Sequence, residues 1–308
     1  MKKLILVIIF LVLFLKMQGQ SISFYDKNYE SFADVKINEN LTFTCRVGGL
    51  NNKDKTVVLL HGFPETSRMW KDLIKLLTHN GFRVIAPDQR GYSRGARPLK
   101  IDNYRIGKLS QDVIDIVNAF EAEKFHLVGH DWGAAVGWAL SSSYKDKIIS
   151  YTALSVPHLD AFSSAISSDK VQEKKSYYID LFKIKYLPEF YFKLFNYRYL
   201  KQLWTSSNQN EIDSYIEVFS QKNALKSALN WYRATDLESS RRIGDIFVPT
   251  LMIYGTEDMA IGEKGVDETE KYMKSYYRLQ KISSSHWLIQ DSFDFVSKEI
   301  LNHLNNFK

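Results

Sequence analysis

The segment Gly129-His130-Asp131-Trp132-Gly133 contains the residue best suited to covalent chemistry. It follows the apolar run Phe125–Gly129 and precedes a helix-like segment from Ala134, and small residues on either side of Asp131 allow a sharp strand-to-helix turn. Such a nucleophile elbow usually presents a serine. A carboxylate attacks esters poorly, because the product is an anhydride, but it attacks saturated electrophilic carbon to give an alkyl ester. Asp131 is therefore predicted to be a nucleophile for displacement at carbon.

A second segment, His61-Gly62-Phe63-Pro64, follows the apolar run Val57–Leu60. If this loop lies beside the elbow, the backbone N–H groups of Phe63 and Trp132 form an oxyanion hole. Pro64 has no N–H to donate and fixes the path of the loop.

The base and its orienting acid are expected after the nucleophile, in the order acid and then histidine. Asp258 and Glu257 both follow the apolar run Leu251–Tyr254, and His286 follows Arg278–Ile282. Because open α/β sheets build their sites at the carboxyl ends of strands, we predict His286 as the general base and one of the two carboxylates as its partner.

Apolar runs alternate with helix-period segments through most of the chain. Four runs are typical of strands buried on both faces of a parallel sheet: Val57–Leu60, Val84–Ala86, Phe125–Gly129 and Leu251–Tyr254. Helical patterns such as Met69–Leu77 and Ile106–Phe120 separate them, and two alternating segments, Phe32–Ile37 and Leu41–Val47, predict strands before them. This order predicts βαβ units around a parallel sheet covered on both sides.

The alternation stops after His158 and resumes at Ile246–Val248. Between them the pattern is helical, and 11 of the 28 residues from 177 to 204 are aromatic. Most of these aromatics are expected to form the core of the inserted helices, and a few to line an apolar tunnel. We predict a helical cap over residues 158–238, inserted into an α/β core of residues 22–157 and 239–308.

The N-terminus predicts a signal peptide over residues 1–20. Lys2 and Lys3 precede the apolar run Leu4–Leu15, and small residues follow near Gly19–Ser21. Twelve apolar residues span about 18 Å as a helix, short of the roughly 30 Å hydrocarbon core of a bilayer. We therefore expect cleavage, no stable membrane span afterwards, and a periplasmic or secreted protein; the alternative is an uncleaved anchor.

Composition excludes several other classes. The chain has 308 residues, 45% of them hydrophobic, and a net charge of +6 that falls to +3 without the leader. No basic block interleaved with aromatics indicates a nucleic-acid groove. A single cysteine, Cys45, excludes an internal disulfide or a cysteine-based zinc cage.

The chain resembles the soluble-type epoxide hydrolases of the α/β-hydrolase fold over roughly residues 31–305. The resemblance rests on the two segments around Phe63 and Asp131, on Asp88-Gln89-Arg90-Gly91-Tyr92-Ser93, and on Asp258 and His286-Trp287. It implies the α/β-hydrolase fold, with a mostly parallel, roughly eight-stranded sheet and an inserted helical cap. It also favours Asp258 over Glu257 as the acid.

In that family two cap tyrosines bind the epoxide oxygen. The resemblance places them at Tyr178 and Tyr232, with Tyr177 as the alternative for the first. A phenol with an ordinary pKa near 10 is a suitable acid for the alkoxide that ring opening leaves. Lys183 and Lys185 depart from the glutamine and proline that the family usually has there.

The sequence therefore predicts hydrolysis of a small hydrophobic epoxide by water to a vicinal diol, through an alkyl ester of Asp131. No metal or organic cofactor is expected, because nucleophile, base and acid are all side chains. A haloalkane dehalogenase is one alternative: it needs N–H donors for halide, of which Trp132 supplies one and a cap tryptophan such as Trp204 another. A non-catalytic small-molecule binding protein of the same fold is the other.

Overall fold

The computed structural model describes residues 20–235 and 242–307. The predicted leader, apart from Gln20, and the predicted end of the cap at residue 238 lie outside these ranges. Within the described residues, no helix is long and apolar enough to cross a membrane.

The described strands form one nine-stranded sheet. They are β1 (Ser21–Lys27), β2 (Glu30–Asn38), β3 (Leu41–Gly48), β4 (Thr56–Leu60), β5 (Arg83–Pro87), β6 (Phe125–His130), β7 (Ile148–Leu154), β8 (Thr250–Gly255) and β9 (Tyr277–Ile282). Their order is β1-β2-β3-β5-β4-β6-β7-β8-β9. Neighbours from β5 to β9 pair in parallel, whereas β1, β2 and β3 pair antiparallel.

The mostly parallel sheet is confirmed, but it has nine strands in the described residues rather than about eight. The additional strand is β1, whose side chains are nearly all exposed and whose polar–apolar alternation extends only over residues 21–24. The segment at Ile246–Val248 is no strand: Ile246 forms one isolated bridge to Met273. Pro249 follows it, and a proline cannot donate to a strand ladder.

The direction of β1 determines at which edge of the sheet the described fold begins. β3 runs opposite to the parallel strands, β2 runs with them and β1 runs opposite again. Ser21 therefore lies at the edge of the sheet where the parallel strands end, and Tyr29 lies at the opposite edge. The chain enters the fold on the side that carries the predicted site.

Helices cover both faces of the sheet. They are α1 (Lys71–His79), α2 (Ile106–Ala119), α3 (Trp132–Ser143), α4 (Leu159–Ser168), α5 (Lys170–Lys183), α6 (Leu187–Lys201), α7 (Gln209–Phe219), α8 (Ala224–Ala234), α9 (Glu263–Glu268), α10 (Leu288–Asp291) and α11 (Phe293–Asn306). One buried cluster joins α2, α3 and part of the inserted helices to the sheet, and a second joins α1, α10 and α11 to the other face. The sequence patterns at Met69–Leu77 and Ile106–Phe120 correspond to α1 and α2.

The inserted helices, α4 to α8, follow β7 and are here called the cap. Asp169 begins α5 by accepting hydrogen bonds from the N–H groups of Val171 and Gln172. Asn208 and Glu211 form a reciprocal capping box at the start of α7. Both devices satisfy N–H groups that have no partner within the helix, so α5 and α7 begin at well-defined residues. In α6, by contrast, the backbone is not helical at residues 194–197, where the helix is kinked.

Candidate active site

Asp131 lies in a sharp turn between β6 and α3. Its φ of 51° and ψ of −122° are unusual for a residue with a side chain, and such strain is typical of functional positions. Two glycines make room for the turn. A Cβ on Gly62 would lie 2.2 Å from Asp131 Oδ1, and one on Gly133 would lie 2.1 Å from the Leu60 carbonyl oxygen. The end of β4 and the loop that follows it therefore pack closely against the elbow and restrict the position of the carboxylate.

The loop after β4 supplies a donor to this carboxylate. The Phe63 N–H donates to Asp131 Oδ1 at 2.8 Å. Next to it, Trp132 is the first residue of α3, and the first N–H groups of a helix have no partner within it. His61 anchors the loop, because its Nε2 accepts from the Gln89 N–H at 3.1 Å. An oxyanion on Oδ1 is thus already within hydrogen-bond distance of one backbone donor.

His286 lies between two carboxylates at the carboxyl ends of the strands. Its Nδ1 donates to Asp258 Oδ2 at 2.7 Å, and its Nε2 lies 3.6 Å from Asp131 Oδ2. Asp258 Oδ1 accepts from the N–H groups of Ala260 and Ile261 at 2.7 and 2.9 Å. Glu257, the alternative acid, is exposed and accepts instead from the Ser283 hydroxyl. The structure therefore pairs His286 with Asp258.

Burial and charge act in opposite directions on this pair. Burial alone would lower the pKa of His286, but the charges of Asp258 and Asp131 and hydrogen bonds to both outweigh it and raise the pKa to about 10. Burial alone would raise the pKa of Asp258, yet His286 and the two N–H donors hold it below its ordinary value. Both shifts favour a protonated His286 beside an ionised Asp258.

An apolar cavity of about 320 Å³ opens over Asp131, between the core and the cap. Tyr178 from α5 and Tyr232 from α8 both line it, with their ring centroids 6.1 Å apart. Tyr177 is 64% exposed and faces solvent instead. Apolar residues, among them Leu159, Phe162, Ile179 and Ile261, outnumber the polar ones in the lining, so the cavity suits a hydrophobic substrate.

Both phenols are held in the protonated state. Burial, followed by the charge of Asp131, raises the pKa of Tyr178 far above its ordinary value. Burial also raises the pKa of Tyr232 well above its ordinary value, although a hydrogen bond from the Trp132 side chain opposes the shift. Two neutral O–H donors therefore face the cavity that contains the Asp131 carboxylate.

A second buried histidine–carboxylate pair lies behind the triad. Glu65 Oε2 is 3.2 Å from His130 Nδ1, and both side chains are fully buried. His130 Nε2 is 2.9 Å from the carbonyl oxygen of His286, which also accepts from the Ser155 hydroxyl. The pair thus supports the backbone of the base. Sequence reasoning missed Glu65, whose signal is an acidic residue directly after Pro64.

The cap is tied to the loop that carries the acid. Lys175 donates to the carbonyl oxygens of Asp258 and Ile261, and Gln172 bridges the Ala260 carbonyl and the Gly262 N–H. Both residues belong to α5, the helix that carries Tyr178. The helix of the first phenol and the loop of the acid are therefore joined, a connection that no sequence pattern indicates.

Trp204 does not reach the cavity. It is buried against Tyr215 and Phe219, with ring centroids 5.2 and 6.4 Å away, and is not among the lining residues. The second halide donor considered for a dehalogenase is thus missing at this position, whereas the two phenols are present.

Residues 55–292 match the family described as the α/β hydrolase fold, and the chain belongs to that family. The strand order, the elbow at Asp131 and the inserted cap agree with this membership.

Relatives within the family support the resemblance to epoxide hydrolases drawn from the motifs. The chain is 32% identical to human "Epoxide hydrolase 4" over 80% of its length and 72% of that protein. It is 35% identical to "AB hydrolase superfamily protein YfhM" of Bacillus subtilis, over 85% of its length and 95% of that protein. The fold matches the crystal structure of Epoxide Hydrolase A from Mycobacterium thermoresistibile with a TM-score of 0.76 and 24% identity, covering 94% of this chain and 99% of that one.

Proposed function

We propose that this protein hydrolyses hydrophobic epoxides to vicinal diols through a covalent ester on Asp131. The observation that carries the proposal is the combination in one apolar cavity of a carboxylate nucleophile with two protonated phenols, Tyr178 and Tyr232. Ring opening needs all three at once: a nucleophile for carbon and acids for the oxygen that leaves it. The epoxide hydrolases among the relatives support the same chemistry.

In the first step, a carboxylate oxygen of Asp131 attacks one epoxide carbon, and the bond between that carbon and the epoxide oxygen breaks. The oxygen leaves as an alkoxide and takes a proton from Tyr178 or Tyr232. Asp131 Oδ1 is already bound by the Phe63 N–H at 2.8 Å, so we assign the attack to Oδ2, which lies 3.6 Å from His286 Nε2. No proton has to leave the nucleophile in this step.

In the second step, water attacks the carbonyl carbon of the ester, and His286 removes a proton from it. Negative charge develops on Oδ1, where the Phe63 N–H and the N–H of Trp132 stabilise it. The ester bond to the substrate then breaks, and the departing diol oxygen takes a proton from the imidazolium of His286. The proton that water left on the Asp131 carboxyl returns to the tyrosine phenolate formed in the first step, so Asp131 is a carboxylate and the tyrosine a phenol again. Asp258 keeps the His286 ring oriented through its bond of 2.7 Å.

A panel of epoxides and haloalkanes, assayed for diol and for halide, tests the proposal directly. Styrene oxide is expected to give a diol at a catalytic rate. Halide release from haloalkanes without diol formation from epoxides would establish the dehalogenase instead. Binding of epoxides without turnover of any compound would establish a binding protein.

The two phenols give a prediction with a matched control. Tyr178→Phe and Tyr232→Phe are each expected to slow formation of the ester by about 10²-fold or more, the usual contribution of a positioned acid. Stopped-flow measurement of the alkylation step reads this rate. Tyr177→Phe, next in sequence but facing solvent, is expected to leave it unchanged. An equal loss of rate in Tyr177→Phe would show that the assignment of the first phenol to Tyr178 is wrong.

The charge on Asp131 gives a prediction about pH. Once Asp131 is an ester, it no longer supplies the charge and hydrogen bond that help to raise the pKa of His286 to about 10, so that pKa falls and the imidazole becomes available as a base. The rate of ester hydrolysis is therefore expected to rise with pH and level off below pH 10. NMR titration of His286 in wild type and in Asp131→Asn, which mimics the neutral ester, checks this. The same pKa in both proteins would contradict it.

We also propose that the protein is exported. The basic residues Lys2 and Lys3, followed by the apolar run Leu4–Leu15, support this. Mass spectrometry of the protein recovered from its own cells gives the N-terminus, which is expected near Ser21.

A further inference from the structure

The outer surface of the cap is unusually apolar. The described residues include 17 exposed large hydrophobic side chains, and eight of them lie between residues 177 and 195, on α5, α6 and the turn between these helices. Five of the eight are aromatic: Tyr177, Tyr186, Phe190, Tyr191 and Phe195. Tyr186, Phe190 and Phe195 are 71%, 65% and 70% exposed. Scattered apolar residues need no explanation, but a concentration of this kind marks an interaction surface.

The segment that forms this surface also has a net positive charge, so the chain does contain a block of basic residues interleaved with aromatics, contrary to the expectation from the sequence. Residues 170–201 contain eight lysines and arginines and three acidic residues, a net charge of +5, whereas the rest of the chain from residue 21 has a net charge of −2. All three acids are paired, with Lys170, Lys183 and Arg233. The exposed cations Lys174, Lys185, Lys193 and Arg198 form no ion pair within the described residues. We call the exposed side chains of residues 170–201 the aromatic–basic face.

Aromatic rings next to unpaired lysines match an anionic lipid surface. Tyrosine and phenylalanine place their rings at the level of the lipid headgroups, and lysine reaches the phosphates while its methylene stem lies along the apolar region. Each basic residue near an anionic bilayer contributes attraction. A second copy of the chain is a poor occupant, because two faces of charge +5 repel each other. Protein interfaces, moreover, are depleted of lysine.

The aromatic–basic face lies on the outer side of a cap helix whose inner side lines the cavity. Helix α5 forms a common wall: Tyr178 and Ile179 line the cavity, while Tyr177 and Leu181 are exposed on the aromatic–basic face. Ser21, where β1 begins, lies at the edge of the sheet where the parallel strands end, which is also the edge that carries the candidate site. A bilayer against this face would therefore lie beside the cavity, which itself has an apolar lining.

We propose that the aromatic–basic face docks the enzyme peripherally on anionic phospholipid bilayers. Insertion of the exposed rings and attraction of the lysines act together, and neither depends on the reaction in the cavity. The docking would bring the cavity close to apolar compounds dissolved in the membrane.

The test is partitioning of the chain from Ser21, which retains every described strand and helix, onto lipid vesicles in a sedimentation assay. Vesicles of phosphatidylglycerol and phosphatidylcholine are expected to bind the protein, less so as salt is raised, and vesicles of phosphatidylcholine alone to bind it weakly. The double variant Lys185→Gln/Lys193→Gln is expected to bind the anionic vesicles about thirtyfold less well, from roughly fivefold for each basic residue. Phe190→Ser/Phe195→Ser is expected to reduce binding to both kinds of vesicle.

The matched control removes one exposed aromatic residue and one exposed lysine from the opposite edge of the sheet. Tyr29→Ser/Lys124→Gln is expected to bind as wild type does. All variants change exposed side chains, and an unchanged thermal midpoint verifies folding. The proposal is overturned if wild type does not bind anionic vesicles, or if the control loses as much binding as the cap variants. A dimer in solution that Phe190→Ser/Phe195→Ser dissociates, without vesicle binding, would identify a second copy as the occupant.

Discussion

Replacement of Asp131 by alanine is expected to reduce epoxide turnover by on the order of 10⁶-fold, the loss seen for nucleophiles in comparable triads. The reason is structural: the carboxylate at the elbow is the group that forms the bond to carbon, and within residues 20–235 and 242–307 no other carboxylate shares its contact with the Phe63 N–H. Diol formation from styrene oxide, followed in wild type and variant, measures the effect. Glu257→Gln, an exposed carboxylate at the end of β8, is the matched control and should retain full activity.

The fate of the water oxygen tests the same residue independently of mutation. In the proposed mechanism the new hydroxyl of the diol comes from Asp131, and water replaces the lost carboxylate oxygen. A single turnover in ¹⁸O-water should therefore leave the diol unlabelled and place the label in the peptide containing Asp131, as read by mass spectrometry. Label found directly in the first diol means that water attacks the epoxide and that Asp131 is no nucleophile.

The second large effect is expected for His286→Gln. Alkylation needs no base, so this variant should still form the ester. Hydrolysis requires removal of a proton from water, so the ester should persist. On long incubation the variant is expected to yield at most one product equivalent per enzyme and to gain the mass of one epoxide on Asp131, visible in the intact protein.

Two further variants test whether this effect is specific to His286. His79→Gln changes an exposed histidine on α1 and should turn over normally. Tyr178→Phe/Tyr232→Phe should show the opposite defect, with slow alkylation and little adduct. If the His286 variant lacks the adduct and the tyrosine double variant accumulates it, the roles assigned to base and acids are reversed or wrong.

Local sequence patterns predicted the strands that are apolar on both faces. The runs at Val57–Leu60 and Leu251–Tyr254 become β4 and β8 because burial on two sides requires a continuous apolar run. In β7 the polar residues Ser150 and Thr152 interrupt such a run, so the criterion of a continuous apolar run misses this strand. Burial there depends on distant helices packing over the sheet, and that information is absent from a local window.

The candidate site shows the same difference between residues that local patterns predict and residues whose roles depend on distant contacts. Asp131 and His286 follow recognisable strand ends, and local spacing suffices to propose them. Tyr178 and Tyr232 came from the family resemblance, since nothing in an aromatic-rich helix marks which ring faces inward. Glu65 could not be assigned at all, because its role depends on His130 and on a backbone carbonyl more than 200 residues along the chain. Such contacts exist only once the sheet has formed.

The hydrogen bonds from Gln172 and Lys175 to the loop of Asp258 affect how the protein unfolds. A cap joined to the core only by its two connecting segments could unfold alone and leave the sheet intact. Here, release of α5 breaks hydrogen bonds to the loop at residues 258–262, so we expect the cap and this loop to unfold as one cooperative unit. Heating should therefore abolish ring opening and ester hydrolysis in a single transition, without an intermediate that traps substrate as a permanent ester.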